Sequence, residues 1–167
     1  MTTVTEFPLL SQGKTWQQMP AGLAFRTSAR TITEADLVNF IGMSLYTEPL
    51  FLEASHAAEG GYAGRLVPGA MTFAIAEGLV LQTNVLHGTG LAFMHTDMKV
   101  ARPVYVGDTI HVTVEITGSR ASRRPGRGIV TSRNAVVNGH GDEVLVYNPV
   151  RMIRGDDFES VPASDRG

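Results

Sequence analysis

The chain has 167 residues, room for one domain with a sizeable core but not for two. Hydrophobic residues make up 43% and charged residues 18%, the balance of a folded domain and not of a disordered chain. Lys plus Arg is 14 and Asp plus Glu is 16, so a formal charge of -2 gives no basic field for nucleic acid. There is no cysteine, which excludes disulfides, thiolate nucleophiles, cysteine-ligated zinc and iron–sulfur clusters. No run approaches the ~20 apolar residues of a membrane span. The opening MTTVTEFPLL has neither a basic region nor a long apolar core, so no signal peptide is expected and a cytoplasmic location is the default.

Residues 1–13 read as a loose arm ahead of a domain over 14–154. LAFRTSART, from Leu23 to Thr31, reads as a strand with Phe25 and Thr27 on one face. TITEADLVNFIGM then reads as a helix. Thr33 can cap it, Glu34 and Asp36 sit in its positive first turn, and Leu37, Phe40 and Ile41 form an apolar stripe. Residues 44–67 mix Pro49, Gly60, Gly61 and Gly64 with apolar side chains and hold no period. An irregular stretch of that length inside a domain is commonly functional or a lid. Pro68 and Gly69 open GAMTFAIAEGLVLQTN, which is apolar on almost every side and therefore predicts a helix buried all round.

Four strand candidates follow: LAFMHTDMKV, TIHVTVEIT, GIVTSRNAVV and EVLVYNPVRMI. Ile110, Val112, Val114 and Ile116 alternate in the second. Gly107-Asp108 and the stretch from Gly139 to Asp142 carry turn chemistry. Residues 155–167 are polar and read as a flexible tail. One buried helix with about five mostly antiparallel strands predicts an α+β domain, a single hot-dog fold whose sheet wraps the helix. A free sheet edge in such a domain predicts a dimer.

FIGMSLYTEPLF, residues 40–51, resembles the hydratase motif F-x-x-L-S-G-D-x-N-P-L-H of the MaoC-like, (R)-specific enoyl-CoA hydratase and dehydratase family. Phe40, Met43, Ser44, Pro49 and Leu50 fit without a gap. GGYAGRLVPGAM resembles the family's stretch ending I-A-H-G-M, with Leu66, Val67 and Gly69 in register, and GDTIHVTVEI and NGHGDEVL resemble its strands. The resemblance covers about residues 14–153. It implies a hot-dog fold and hydration of an enoyl thioester, or the reverse dehydration. No cofactor is implied beyond the coenzyme A or acyl carrier that is part of the substrate.

The departures fall on the catalytic positions. The family's Asp falls on Tyr46, its His on Phe51 and the intervening Asn on Glu48. Phenylalanine neither accepts nor donates a proton, so the activity does not carry over on fold alone. Gly69 keeps an N–H at the head of the buried helix, where the resemblance implies a polarised thioester carbonyl; helix dipole and amide both favour an enolate oxygen there. Without the resemblance, Pro68-Gly69 simply starts a helix. Glu48, with Phe40, Leu50 and Phe51 near in sequence, is the candidate general acid or base, on the expectation that an apolar pocket raises its pKa. Tyr46 is the candidate for orienting water or a carbonyl. The plainer readings are a solvent-facing or capping Glu48 and a packed Tyr46. Phe40, Pro49, Phe51 and Pro68 are expected to line the substrate site.

His56, on a possible short helix, is a candidate to enter the space that Phe51 vacates, or else a surface residue. His87 reads as ending the central helix, and His95, His111 and His140 as packed or solvent-facing. No helical ligand spacing joins any two histidines, so no metal site is expected. Glu77, deep in the central helix, matches the carboxylate that some hot-dog thioesterases use on water. SRASRRPGRG gathers Arg120, Arg123, Arg124 and Arg127 in one turn. Arg123 and Arg124 are candidates for coenzyme A phosphates or a carrier's acidic helix, against the plain reading of a soluble hairpin. Asp108 reads as a structural turn residue.

Three functions compete. The first is a hydro-lyase with a rebuilt site, acting on an acyl thioester as a homodimer. The second is a catalytically degenerate partner subunit of a heteromeric hydratase. The third is a binding or isomerising protein for an apolar small molecule.

Overall fold

The computed structural model describes residue 9 and residues 11–159. Its elements in chain order are β1 (Ala24–Arg26), β2 (Arg30–Thr31), α1 (Glu34–Ser44), α2 (Pro49–Leu52), α3 (Ala54–Glu59), α4 (Gly69–Gln82), β3 (Gly90–Val100), β4 (Thr109–Ala121), β5 (Arg127–Asn138) and β6 (Glu143–Arg154). The sheet is antiparallel, in the order β1-β4-β5-β6-β3, with β2 also paired to β4. This is a hot-dog α+β fold. The four long strands cover the four strand candidates of the sequence, of which β4 carries the period-2 alternation. LAFRTSART instead makes two short strands, because Thr27 leaves the ladder: its hydroxyl donates to the Ser28 carbonyl and accepts from the Val112 N–H.

One face of the sheet is the core. Val112 pairs with Val136, Val136 with Leu145, and Leu145 with Val100, so these residues share a side. Ile110, Val112, Val114 and Ile116 are all buried, as their alternation predicts. The expected capping of α1 is present in full. The Thr33 hydroxyl accepts from the Asp36 N–H, and the Asp36 carboxylate accepts from the Thr33 N–H. That N–H and the Thr33 hydroxyl hold the Asp36 carboxyl below its usual range.

Helix α4 differs from expectation. Met71, Ala76, Leu79 and Val80 are buried, but Ala74 is exposed and Leu81 is 55% exposed. The six strands curve over one side of α4, and α1 covers only part of the other. His87 does not end this helix, which stops at Gln82; it lies in the turns that follow.

The ends of the domain are also tighter than their composition suggests. Most of the arm lies outside the described residues, yet the Gly13 and Lys14 N–H groups donate to the His87 and Val85 carbonyls. The first residues of the expected tail pack as well: the Phe158 ring sits under the Arg127 and Arg154 guanidiniums, and the Thr15 hydroxyl donates to Asp156 at 2.7 Å. Two cations over one ring outweigh the polarity of the neighbouring residues. The part of the tail from residue 160 onward lies outside the described residues.

Trp16, the single tryptophan, packs on Gly128 of β5 so closely that a Cβ there would meet the indole at 2.1 Å. Gly128→Ala is therefore expected to cost about 1–3 kcal/mol by overpacking. It should lower the melting temperature by roughly 2–10 °C and shift the tryptophan emission to the red. An unchanged emission would show that Trp16 does not rest on this strand.

Candidate functional site

The residues between α1 and α4 form the lid over the site. Helix α1 ends at Leu45, which adopts φ 57°, a left-handed conformation that costs a branched residue about 1 kcal/mol or more. That turn folds Tyr46 back over Phe40, with ring centroids 5.6 Å apart, and onto Phe51 at 5.8 Å. Pro49 opens α2 at the position where its missing N–H costs nothing. α2 and α3 are mostly exposed, and only Ala57 among their residues is buried. What holds them is Arg65. Its guanidinium donates to Glu34 of α1 at 2.9 and 3.1 Å and to the Phe51 carbonyl. After Arg65 the chain rejoins the fold through Val67 N–H to Val104 O and Val106 N–H to Arg65 O.

Beneath the lid is a cavity of about 280 Å3. Phe51 and Tyr62 come to it from the lid, Gly69 and Thr72 from α4, Val100 and Arg102 from the end of β3, and Leu145 from β6. Gly69 is the first residue of α4, so its N–H has no acceptor within the helix. A side chain at this position would have to push the Val100 side chain aside, because a Cβ would lie 2.8 Å from a Val100 methyl. The walls are chiefly apolar. Among the described lining residues none carries a carboxylate or an imidazole.

The candidate residues therefore separate. Gly69 and Phe51 share the cavity, and Pro68 is buried directly before Gly69. Tyr46 and Phe40 stack behind Phe51, away from the cavity lining. Glu48 is exposed, beside Leu45, Tyr46 and Thr47, which corrects the expectation of an apolar pocket around it. The α2 helix starts immediately after Glu48 and turns its backbone outward; its carbonyl accepts from the Phe51 N–H. Pro49 is exposed at the head of α2, and His56 is exposed on α3 and does not line the cavity. Arg123 and Arg124 sit in the β4–β5 hairpin. Ala121 pairs with Gly128 at that end of the sheet, whereas Val136 pairs with the cavity residue Leu145. Eight strand residues separate the two ends, roughly 26 Å, so within one chain the hairpin and the cavity are apart.

Glu77 is also spoken for. Its carboxylate accepts from the Tyr147 hydroxyl and from Arg151, each at 2.7 Å, and the Arg151 guanidinium lies 4.7 Å from the centre of the Phe93 ring. The pair is mostly buried, 16% exposed for Glu77 and 11% for Arg151. Burial, and then the Glu77 charge, push the Tyr147 phenol far above its usual range. A carboxylate so engaged is not free to activate water, which removes the thioesterase reading. Asp108 is structural as expected, accepting from the Tyr105 N–H at 2.9 Å. Among the described residues no cluster of three or more histidines, aspartates or glutamates forms a metal site. Sequence reasoning missed Tyr62, Arg65, Thr72 and Arg102. Only Arg65 and Arg102 left a signal, as charges next to apolar runs.

A family model for the MaoC-like domain matches residues 17–138. The chain belongs to the MaoC-like domain family. It is similar to the (R)-specific enoyl-CoA hydratase of Rhodospirillum rubrum, 32% identical over 90 residues, 54% of this chain and 61% of that enzyme. The match thus spans about three-fifths of that MaoC-like relative's length. Among solved structures it is similar to a MaoC-like dehydratase of Rhodospirillum rubrum, with a TM-score of 0.79 and 22% identity over 87% of this chain and 100% of that one. It is also similar to the HadBC (3R)-hydroxyacyl-ACP dehydratase complex of Mycobacterium tuberculosis, with a TM-score of 0.67 and 21% identity over 79% and 96% of the two chains.

Arg65 thus ties the lid of this MaoC-like domain to α1. Arg65→Ala should raise amide hydrogen exchange across residues 49–62 by tenfold or more, on the order of one lost charge-assisted bond. Exchange in β4 and β5 should stay unchanged. Equal acceleration in both regions would mean that the fold, not the lid, depends on Arg65.

Proposed function

We propose that the protein is a hydro-lyase acting on an acyl thioester, adding water to an enoyl thioester or removing it in reverse, through a site without the family's Asp–His pair. The observation that carries this is Gly69: an N–H at the head of a 14-residue helix with no acceptor inside that helix, lining a largely apolar cavity in a MaoC-like domain. A thioester carbonyl set against that N–H gains the helix dipole as well. As water adds, hydroxide bonds the β-carbon, electrons move to the carbonyl oxygen, and the enolate so formed is stabilised at Gly69. A proton then goes to the α-carbon. Phe51 gives this wall of the cavity an apolar face in place of a base.

The proton must be moved by another group. Tyr62 brings a phenol to the cavity wall, and Glu48 brings a carboxylate on the lid, next to Tyr46. In the hydration assay, with enoyl-CoA thioesters of several chain lengths and mass detection of added water, turnover is expected. Glu48→Gln or Tyr62→Phe, whichever group is the acid–base, should lower kcat by about 100-fold or more with an unchanged melting temperature. Full activity in both variants would remove both groups from the mechanism.

The second reading is a non-catalytic partner subunit, supported by the lack of any carboxylate or imidazole in the described cavity wall. Both readings expect a dimer. β3 is an 11-residue strand paired on one side only, and Phe93, Met94, Met98 and Val100 on it are exposed. Such an edge invites a second strand, and a lysine on it discourages pairing. Sedimentation should find a dimer that Met98→Lys converts to monomer. A catalytically active homodimer supports the first reading. A chain that dimerises only with another hot-dog subunit, and is silent alone, supports the second.

A further inference from the structure

Arg102 is unlike the other ion-paired arginines of the chain. Four pairs among the described residues close at 2.5 to 2.9 Å, those of Arg30, Arg65, Arg133 and Arg151. Arg102 lies 3.6 Å from Asp142, beyond a charge-assisted hydrogen bond, and is 60% exposed. A loose exposed pair of this kind contributes little. It leaves most of the guanidinium's five donors free.

The root of this side chain is fixed, however. The Ala101 and Arg102 N–H groups both donate to the Val144 carbonyl, at 2.9 and 3.1 Å, and Pro103 follows. Val100, two residues earlier, is the residue that presses on Gly69. Arg102 is thus a free guanidinium on a rigid base within a few residues of the carbonyl position. Among the described residues lining the cavity it alone carries a formal charge. A single cation at the mouth of an apolar cavity selects an anion.

Building on the thioester reading above, we infer that Arg102 binds an anionic group of the substrate, competing for it with Asp142. The anion has two possible sources, a carboxylate at the far end of the acyl group or a phosphate of the thioester's carrier. Their shared chemistry is an oxyanion that the guanidinium grips with two parallel hydrogen bonds.

The test is direct binding by calorimetry with three unreactive probes. Butyryl-CoA carries phosphates, succinyl-N-acetylcysteamine carries an acyl carboxylate and no phosphate, and butyryl-N-acetylcysteamine carries no anion. Arg102→Ala should weaken one of the two anionic probes by about tenfold or more, the scale of a hydrogen bond to a charged group. Which probe responds names the source. The anion-free probe should be unaffected. Asp142→Asn should act in the opposite direction and tighten the same anionic probe, because it removes the competing carboxylate. If Arg102 served only to pair with Asp142, the two variants would move binding together. That result overturns the inference, as does an equal loss for all three probes, no change in any, or no binding of any probe to the unmodified protein. Binding in the expected pattern without hydration of enoyl-CoA would sink the hydro-lyase reading and leave Arg102 in its role. Hydration with binding insensitive to Arg102 would do the reverse.

Discussion

The site depends on one close approach, that of Val100 to Gly69. β3 ends against the head of α4, where a Cβ on Gly69 would displace the Val100 side chain. Glycine leaves that side chain in place, and the contact brings the first N–H of a long helix to the wall of an apolar cavity. The sheet register then fixes the rest. Val100 pairs with Leu145, Leu145 lines the same cavity, and the neighbouring Val144 carbonyl anchors Arg102. A slip of one residue by β3 along β6 would turn Val100 to the outer face while Leu145, held by β5, kept its place. Gly69 would then stand in an open groove.

Over this base the lid supplies an aromatic wall. Its aromatic stack of Phe40, Tyr46 and Phe51 occupies the region where the family's motif carries a proton-transferring pair. An aromatic wall excludes water from the carbonyl side, which strengthens the field of the helix head. It also takes no part in proton transfer. On the proposed reading the helix head at Gly69 supplies the electrostatic part of the chemistry, and a group other than these three rings must move the proton.

Much of the fold was legible from the sequence. β4 declared itself through Ile110, Val112, Val114 and Ile116, and α1 through Thr33 and Asp36, because period and cap are local properties. Gly69 was legible only through the resemblance, since nothing in Pro68-Gly69 itself announces the press of Val100. Helix α4 misled in part: an apolar helix is a demand for burial, but the sequence does not say whether its own sheet or another chain meets it. Glu48 was misplaced for a related reason. Its sequence neighbours are apolar, yet Leu45, Tyr46, Pro49 and Leu52 are themselves exposed, so nearness in sequence built no apolar pocket around Glu48. Arg102 and Arg65 show in the sequence only as charges next to apolar runs, because the groups that place them, the Val144 and Phe51 carbonyls, are backbone atoms distant in sequence.

The lid's slight attachment has an evolutionary side. α2 and α3 bury almost nothing, and between Leu45 and Leu66 the chain leaves the sheet and returns to it. Lengthening such an excursion costs only the slow logarithm of loop closure, about 0.6 kcal/mol for each doubling. Residues can be gained or lost there without disturbing β3 or α4. The contact between Val100 and Gly69 is thus held by the packing of sheet and helix, while the segment above it tolerates change in length. In this architecture, acquiring or discarding proton-transfer residues is an inexpensive change, and a chain can leave catalysis or return to it while keeping its fold.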